Sequence, residues 1–180
     1  AAFATLELDA AAGIVLTASH NPPEYLGYKV YWSNGVQIVP PIDQRIAQAV
    51  NALPIETQVA QAEPVLTQTD PYWRVHGDGI RQDYLKAIAR PRVPGDKPAE
   101  PLKIAYSAMH GVGGALIKAA LANQGDIALH EVAEQALPDG DFPTVNFPNP
   151  EEPGALERLT RLAAEGGADV ALATDPDADR

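Results

Sequence analysis

Hydrophobic positions along this chain follow two different periods, and the change from one to the other marks its organisation. Gly13-Ile14-Val15-Leu16 is a short aliphatic run that stops at a polar, proline-containing stretch, and it reads as a buried strand. Ahead of it, Leu6, Leu8 and the Ala10–Ala12 run predict a helix or strand end packed on that strand, without a capping residue. Tyr28-Lys29-Val30-Tyr31-Trp32 alternates with the period of two expected of a strand. Asn34-Gly35 predicts a type I′ turn, and Val36-Gln37-Ile38-Val39 returns as the partner strand. Ile42, Ile46, Ala49 and Val50 share a helical spacing, as do Ile80, Tyr84, Leu85 and Ile88 within residues 78–90. Residues 54–71 keep no period and read as a surface connection. Pro91, Pro94, Pro98 and Pro101 make residues 91–101 a linker.

Beyond the linker the pattern becomes strand, helix, strand, helix, strand. Strands are predicted over residues 103–107, 127–132 and 169–173. Helices are predicted over 113–124, with Leu116, Ile117, Ala120 and Leu121 inward, and over 155–165, with Leu156, Leu159 and Leu162 aligned. This alternation implies a parallel sheet with right-handed crossovers. The expected class is therefore α/β: a mixed sheet with a β-hairpin in a first domain, residues 1–90, then a parallel, Rossmann-like α/β/α domain over residues 102–180. Three parallel strands leave exposed edges, so the second domain is expected to be incomplete within this stretch.

Composition narrows the function classes. Hydrophobic residues make up 46% and charged residues 21%, which describes a soluble globular protein. No apolar run approaches the roughly 18 residues of a membrane span, and the Ala-rich start carries Glu7 and Asp9, unlike a signal peptide. The chain has no cysteine, which excludes disulfides and thiolate metal sites and fits a cytoplasmic protein. A net charge of −11 weighs against nucleic acid or an anionic membrane as a partner.

Two loops carry candidate chemistry. In Thr17-Ala18-Ser19-His20-Asn21-Pro22-Pro23 the prolines force the strand to end in an ordered, non-helical loop. A serine there is held by the sheet and open to a ligand, but serine is a weak nucleophile without a base, a metal or prior activation. There is no G-x-S-x-G, and adjacent Ser19 and His20 need not face the same way from an extended backbone. Ser19 is thus either a nucleophile or, with His20 and Asn21, part of a hydrogen-bonded turn. Asp175, Asp177 and Asp179 form a hard-oxygen cage suited to Mg²⁺ or Ca²⁺. An EF-hand opens with the same spacing but requires glycine in the sixth place, where Arg180 stands. As a plain acidic turn the loop would hold three mutually repelling carboxylates, relieved only by a cation or by Arg180. Lys29 is either an ordinary exposed lysine or an acid–base group. Gly113-Gly114 could bind an anion through free amides, although a tight strand-to-helix turn is the simpler reading, and His110 is expected to be structural. The His110–Gly114 and Asp175–Arg180 loops both leave the carboxyl ends of predicted strands, where ligands of parallel sheets gather.

These two loops, in this order and at this separation, resemble the active-site serine loop and the metal loop of the α-D-phosphohexomutases, the family of phosphoglucomutase and phosphomannomutase. Gly27-Tyr28-Lys29-Val30-Tyr31, His110-Gly111-Val112-Gly113, Phe142-Pro143-Thr144 and Pro148-Asn149-Pro150-Glu151-Glu152 extend the resemblance over nearly the whole chain. The last of these looks most like the phosphoglucomutase and phosphopentomutase branch. The resemblance implies an intramolecular phosphotransferase, an isomerase moving a phosphoryl group between the 1- and 6-positions of a hexose phosphate through a phosphoserine and a bisphosphate. It assigns Ser19, His20 and Lys29 to catalysis, Arg180 to phosphate binding, and Ser19, Asp175, Asp177 and Asp179 to Mg²⁺, with a sugar 1,6-bisphosphate as activator. A pentose phosphate is the alternative substrate, and a phosphosugar- or metal-binding module without turnover is the alternative class. A phosphosugar is an anion, so Lys29, His20, Arg180 and a metal must be gathered locally against the overall charge. Resembling sequences usually have Asn where Leu26 stands. They also carry further segments upstream of the serine loop and beyond the metal loop, so these 180 residues are expected not to complete the cycle alone.

Overall fold

The computed structural model describes residues 1–55, 57–58, 73–89 and 100–180. The expected connection over 54–71 and linker over 91–101 lie almost wholly outside the described residues. The chain divides into two compact units, Ala1–Val15 with Lys29–Gln82, and Leu16–Tyr28 with Asp83–Arg180.

In the first unit, helix α1 (Ala2–Glu7) precedes strand β1 (Ala12–Leu16), which pairs with β2 (Tyr28–Trp32); helix α2 (Ile42–Asn51) follows. α1 has no side-chain cap. Its Thr5 is buried, and the Thr5 hydroxyl leaves no room for a Cβ on Gly13 of β1. Contrary to the expected buried strand, β1 alternates: Gly13 and Val15 are half-buried, while Ile14 and Leu16 are 67% and 77% exposed. Side chains of a strand point to opposite faces in turn, and Gly13 lies on the face that meets Thr5 of α1.

The hairpin forms, but not through a type I′ turn. That turn needs positive φ at two successive residues, whereas Gly35 has φ +72° and Asn34 is not among the residues with positive φ. Gly35 N donates to Trp32 O (2.8 Å) and Trp32 N to Val36 O (2.9 Å). This is the three-residue connection in which a tight turn is followed by a left-handed glycine. The Asn34 side chain caps the turn by accepting from Val36 N at 3.1 Å. The return is a single antiparallel bridge, Tyr31 to Gln37, plus Ile38 N to Val30 O (3.0 Å), rather than the continuous strand expected over 36–39.

Helix α3 (Asp78–Ile88) leads from the first unit into the second. There, β3 (Leu102–Ser107), α4 (Gly114–Ala122), β4 (Ile127–Glu131), a 3₁₀ turn (Ala133–Gln135), α5 (Glu157–Gly166) and β5 (Val170–Ala173) alternate as their periodicity implies. The sheet order is β4-β3-β5, all parallel, with Ile104 opposite both Leu129 and Val170. Central β3 is buried continuously from Ile104 to Ser107, as a parallel strand with both faces covered must be. Ala105, Val132 and Leu159 form the core cluster, with Leu156, Leu162, Ala163, Ala168 and Ala173 packed on it. Full burial of one such leucine contributes about 1.5–3 kcal/mol. Gly167, at φ +60°, ends α5: Ala168 N donates back to Ala163 O (2.9 Å), and Asp169 N then joins Lys103 O (2.9 Å) to start β5. Since α4 carries the chain from β3 to one flank and α5 returns it to the other, the connections diverge between β3 and β5. Open α/β sheets bind ligands at such a switch point. Among the described residues no helix is long and apolar enough to cross a membrane.

Candidate active site

The adjacent carboxyl ends of β3 and β5 build the floor of the site. Thr174 leaves β5 with its N–H on Ser107 O (3.1 Å) and its hydroxyl 2.9 Å from the Tyr106 phenol oxygen. Tyr106 is wholly buried; burial pushes its phenol above the ordinary range, partly offset by the Thr174 hydrogen bond, so it remains an O–H at neutral pH.

The loop after β3 is held by a buried polar network. Ser107 Oγ donates to Gln135 Oε1 (2.7 Å) and accepts from Met109 N (3.0 Å). Gln135 Nε2 donates to Thr144 Oγ1 (2.8 Å), which also lies 2.9 Å from His110 Nε2. These bonds hold Met109 and His110 at φ +47° and +60°, conformations that cost about 1–3 kcal/mol each for residues other than glycine. His110 is therefore a satisfied structural histidine. The glycines after it serve close packing: a Cβ on Gly111 would lie 2.5 Å from Pro176 Cα, and one on Gly113 would lie 2.7 Å from Ala178 Cβ. Val112 N donates to Pro176 O at 2.9 Å, joining this loop to the acidic one. Gly113 has an ordinary helical φ of −70° and makes the strand-to-helix turn.

In the acidic loop, Asp175 Oδ1 accepts from Asp179 N (3.1 Å) and Arg180 N (3.3 Å), so the carboxylate ties its own loop into a turn. Asp175 is fully buried, Asp177 half-buried and Asp179 exposed, and one oxygen of each lies within 4.8 Å of the others. Burial pushes the Asp175 carboxyl above the ordinary carboxylate range. The charge of Asp177 adds to this and that of Asp179 adds less, while the Arg180 and Asp179 N–H bonds pull it back. Three converging carboxylates, one shielded from water, are an all-oxygen donor set that fits a hard divalent cation such as Mg²⁺.

The serine loop belongs to the same unit and closes over this cage. Ser19 adopts φ +55°. Its Oγ lies 3.2 Å from Asp175 Oδ2, 3.4 Å from Asp177 Oδ1 and 3.3 Å from His20 Nδ1. A hydroxyl has one proton for three neighbours, so a His20 that donates through Nδ1 leaves that proton for the carboxylates. The His20 ring tilts against Phe147, with centroids 6.2 Å apart at 59°. Thr17 anchors the loop: its N–H donates to Gly27 O (3.0 Å), its Oγ1 accepts from Ser19 N (2.8 Å), and the same hydroxyl donates to Asp177 Oδ2 (2.9 Å).

The structure thus brings Ser19, His20, Asp175, Asp177 and Asp179 together. Arg180 is exposed and contributes its backbone N–H to Asp175. Lys29 belongs to the other unit, half-buried on β2. Thr17 and Phe147 were not expected. Neither had a signal in the sequence, because Thr17 meets Asp177 and Phe147 meets His20 only through the fold.

A family model described as phosphoglucomutase/phosphomannomutase, alpha/beta/alpha domain II, matches residues 82–180, and the corresponding domain I matches residues 1–55. The chain is 42% identical over 182 residues to a "Probable phosphomannomutase" of Haemophilus influenzae, covering 99% of this chain and 36% of that protein. It is 37% identical over 180 residues to the phosphopentomutase of Homo sapiens, covering 99% of this chain and 29% of the relative. The crystal structure of a phosphomannomutase-type protein from Thermus thermophilus superposes with a TM-score of 0.67 at 29% identity, covering 99% of this chain and 37% of that one. The chain spans about a third of the length of these relatives.

Proposed function

The chain belongs to the phosphoglucomutase/phosphomannomutase family, and from that premise we propose that the protein is a phosphosugar mutase working through a phosphoryl group on Ser19. The observation that carries this reading is the approach of Ser19 Oγ to two acidic side chains, 3.2 Å from Asp175 and 3.4 Å from Asp177. In a hydrolase such neighbours would oppose the rise of an alkoxide. A serine that carries a phosphoryl group needs no triad, but it does need a cation, and the cage beside it is suited to hold one.

Asp175, Asp177 and Asp179, with an oxygen of the phosphorylated Ser19, would hold Mg²⁺. When bound, the ion supplies neutralisation of the charge that spreads over the transferring phosphoryl group. In the first half of the cycle the Oγ–P bond of Ser19 breaks as a bond forms from phosphorus to one sugar hydroxyl. The proton of that hydroxyl passes to His20 or Lys29. The resulting 1,6-bisphosphate turns over and returns its other phosphoryl group to Ser19 Oγ, and the proton goes back to the oxygen left behind. Arg180 pairs with phosphate or steadies the carboxylates. A sugar 1,6-bisphosphate added as activator restores phosphoserine whenever the intermediate escapes.

A hexose phosphate is the proposed substrate. The 37% identity to a human phosphopentomutase favours a pentose phosphate as the second reading. The test is the intact mass of the full-length protein isolated from cells, with peptide mapping around Ser19. A phosphoryl group on Ser19 is expected, together with loss of both the modification and hexose-phosphate isomerisation in Ser19→Ala. A Ser19 that stays unmodified even with glucose 1,6-bisphosphate would sink the mutase reading. Release of free phosphate in place of an isomerised sugar would instead indicate a phosphatase.

A further inference from the structure

We infer that Thr17 is a positioning residue, the group that sets the Ser19 oxygen against the cation cage. The inference rests on the reading above, in which Asp177 is a cation ligand. A threonine hydroxyl has one proton to give and lone pairs to receive, and here both functions are used between the two halves of the site. The proton goes to Asp177 Oδ2 at 2.9 Å, and the oxygen receives Ser19 N–H at 2.8 Å. With Ser19 Oγ 3.4 Å from Asp177 Oδ1, these contacts close a ring from Thr17 through Asp177 to Ser19 and back.

The ring has a defined consequence. Oδ2 of Asp177 is engaged by Thr17, so the carboxylate cannot rotate freely and its Oδ1 is the oxygen turned to Ser19. The Ser19 backbone, at φ +55°, is held in an uncommon conformation by the same hydroxyl. Thr17 is itself fixed at its backbone by Gly27 O (3.0 Å) and at χ1 by its branched Cβ. Residues 17 and 177 are 160 positions apart in sequence, so this is a cross-link between loops and not a local turn. A group that hydrogen-bonds a ligating carboxylate orients it, and removing such a group commonly costs about 10–100-fold in metal affinity or activity.

The experiment compares Thr17→Val and Thr17→Ser in the full-length protein. Valine keeps the shape and removes the hydroxyl; serine keeps the hydroxyl. Mg²⁺ affinity by titration calorimetry is expected to fall about 10–100-fold in Thr17→Val and to recover in Thr17→Ser. Phosphorylation of Ser19 by glucose 1,6-bisphosphate, read by intact mass, should follow the same order. A Thr17→Val protein that binds Mg²⁺ like wild type, or a Thr17→Ser protein that loses as much as Thr17→Val, overturns the inference. Amide hydrogen exchange at Ser19 of the wild type gives a readout that does not depend on either variant folding. Protection of that amide supports the inference, and exchange at the rate of an open loop overturns it. Wild type that binds Mg²⁺ but never accepts a phosphoryl group sinks the mutase reading alone, while wild type that binds no Mg²⁺ sinks both.

Discussion

Asp175 has a wholly buried side chain beside two other carboxylates, and its place in the site comes at a cost in stability. Its carboxyl is raised first by burial and then by the charge of Asp177. A carboxyl raised in the folded state binds its proton more readily there than in the unfolded chain. Below the ordinary value of about 3.9 both states are protonated and it contributes nothing. As pH rises from there through the raised folded value, stability is lost, and the loss is complete above it. Asp175→Asn keeps an acceptor for the Asp179 and Arg180 amides and removes the charge. In metal-free buffer it should melt higher than wild type at pH 7, with the gap closing as pH falls below about 4. Thermal unfolding across pH measures this, and a variant less stable than wild type at pH 7 would contradict it. At this scale the sequence was informative about types: Ser19 and the three aspartates stood out by spacing. Thr17 did not, because its role depends on a carboxylate 160 positions away.

Between residue and molecule lies the loop that follows β3. Its Gly111 lies so close to Pro176 that a side chain has no space: a Cβ there would lie 2.6 Å from the Pro176 oxygen. Backbone on both sides leaves no flexible atom to move aside. Gly111→Ala should therefore break the Val112–Pro176 bond, cost about 1–3 kcal/mol, and weaken Mg²⁺ binding along with stability. Gly140→Ala is the matched control, since nothing lies within 4 Å of a Cβ there. Equal effects of the two in unfolding and Mg²⁺ titration would refute this account. Elements of this size were read well where the period was long: α4, α5 and the three parallel strands sit where the pattern of apolar residues put them. The misreadings were about surroundings. A run such as Gly13–Leu16 is compatible with burial on one face or two, and periodicity in four residues cannot separate the cases. Asn34-Gly35 suits more than one hairpin connection, and the left-handed Gly35 with an Asn34 cap is the one formed.

Over the whole molecule the net charge is −11, and three of the acidic groups converge in one cage. A cation that binds only the folded cage stabilises by mass action, about 2.7 kcal/mol at a free concentration one hundred times its Kd. MgCl₂ should accordingly raise the Tm of the protein well beyond NaCl of equal ionic strength, and Asp177→Asn should abolish the difference. If both salts shift the Tm alike, general screening accounts for the stabilisation and the cage does not.

The sequence by itself determined the α/β class, because a period of 3.6 alternating with short apolar runs admits few other arrangements. It also singled out two candidate loops, because carboxylates at alternate positions and a serine between a strand and two prolines are patterns that local spacing can express. Only the tertiary structure decided that those loops meet. Ser19 and Asp175 are separated by 156 positions, and the pairing of β3 with β5 carries Asp175 to the strand switch point where Ser19 reaches it at 3.2 Å. Which hydroxyl orients which carboxylate was decided there too, since hydrogen bonds across a fold depend on distances that no one-dimensional pattern encodes.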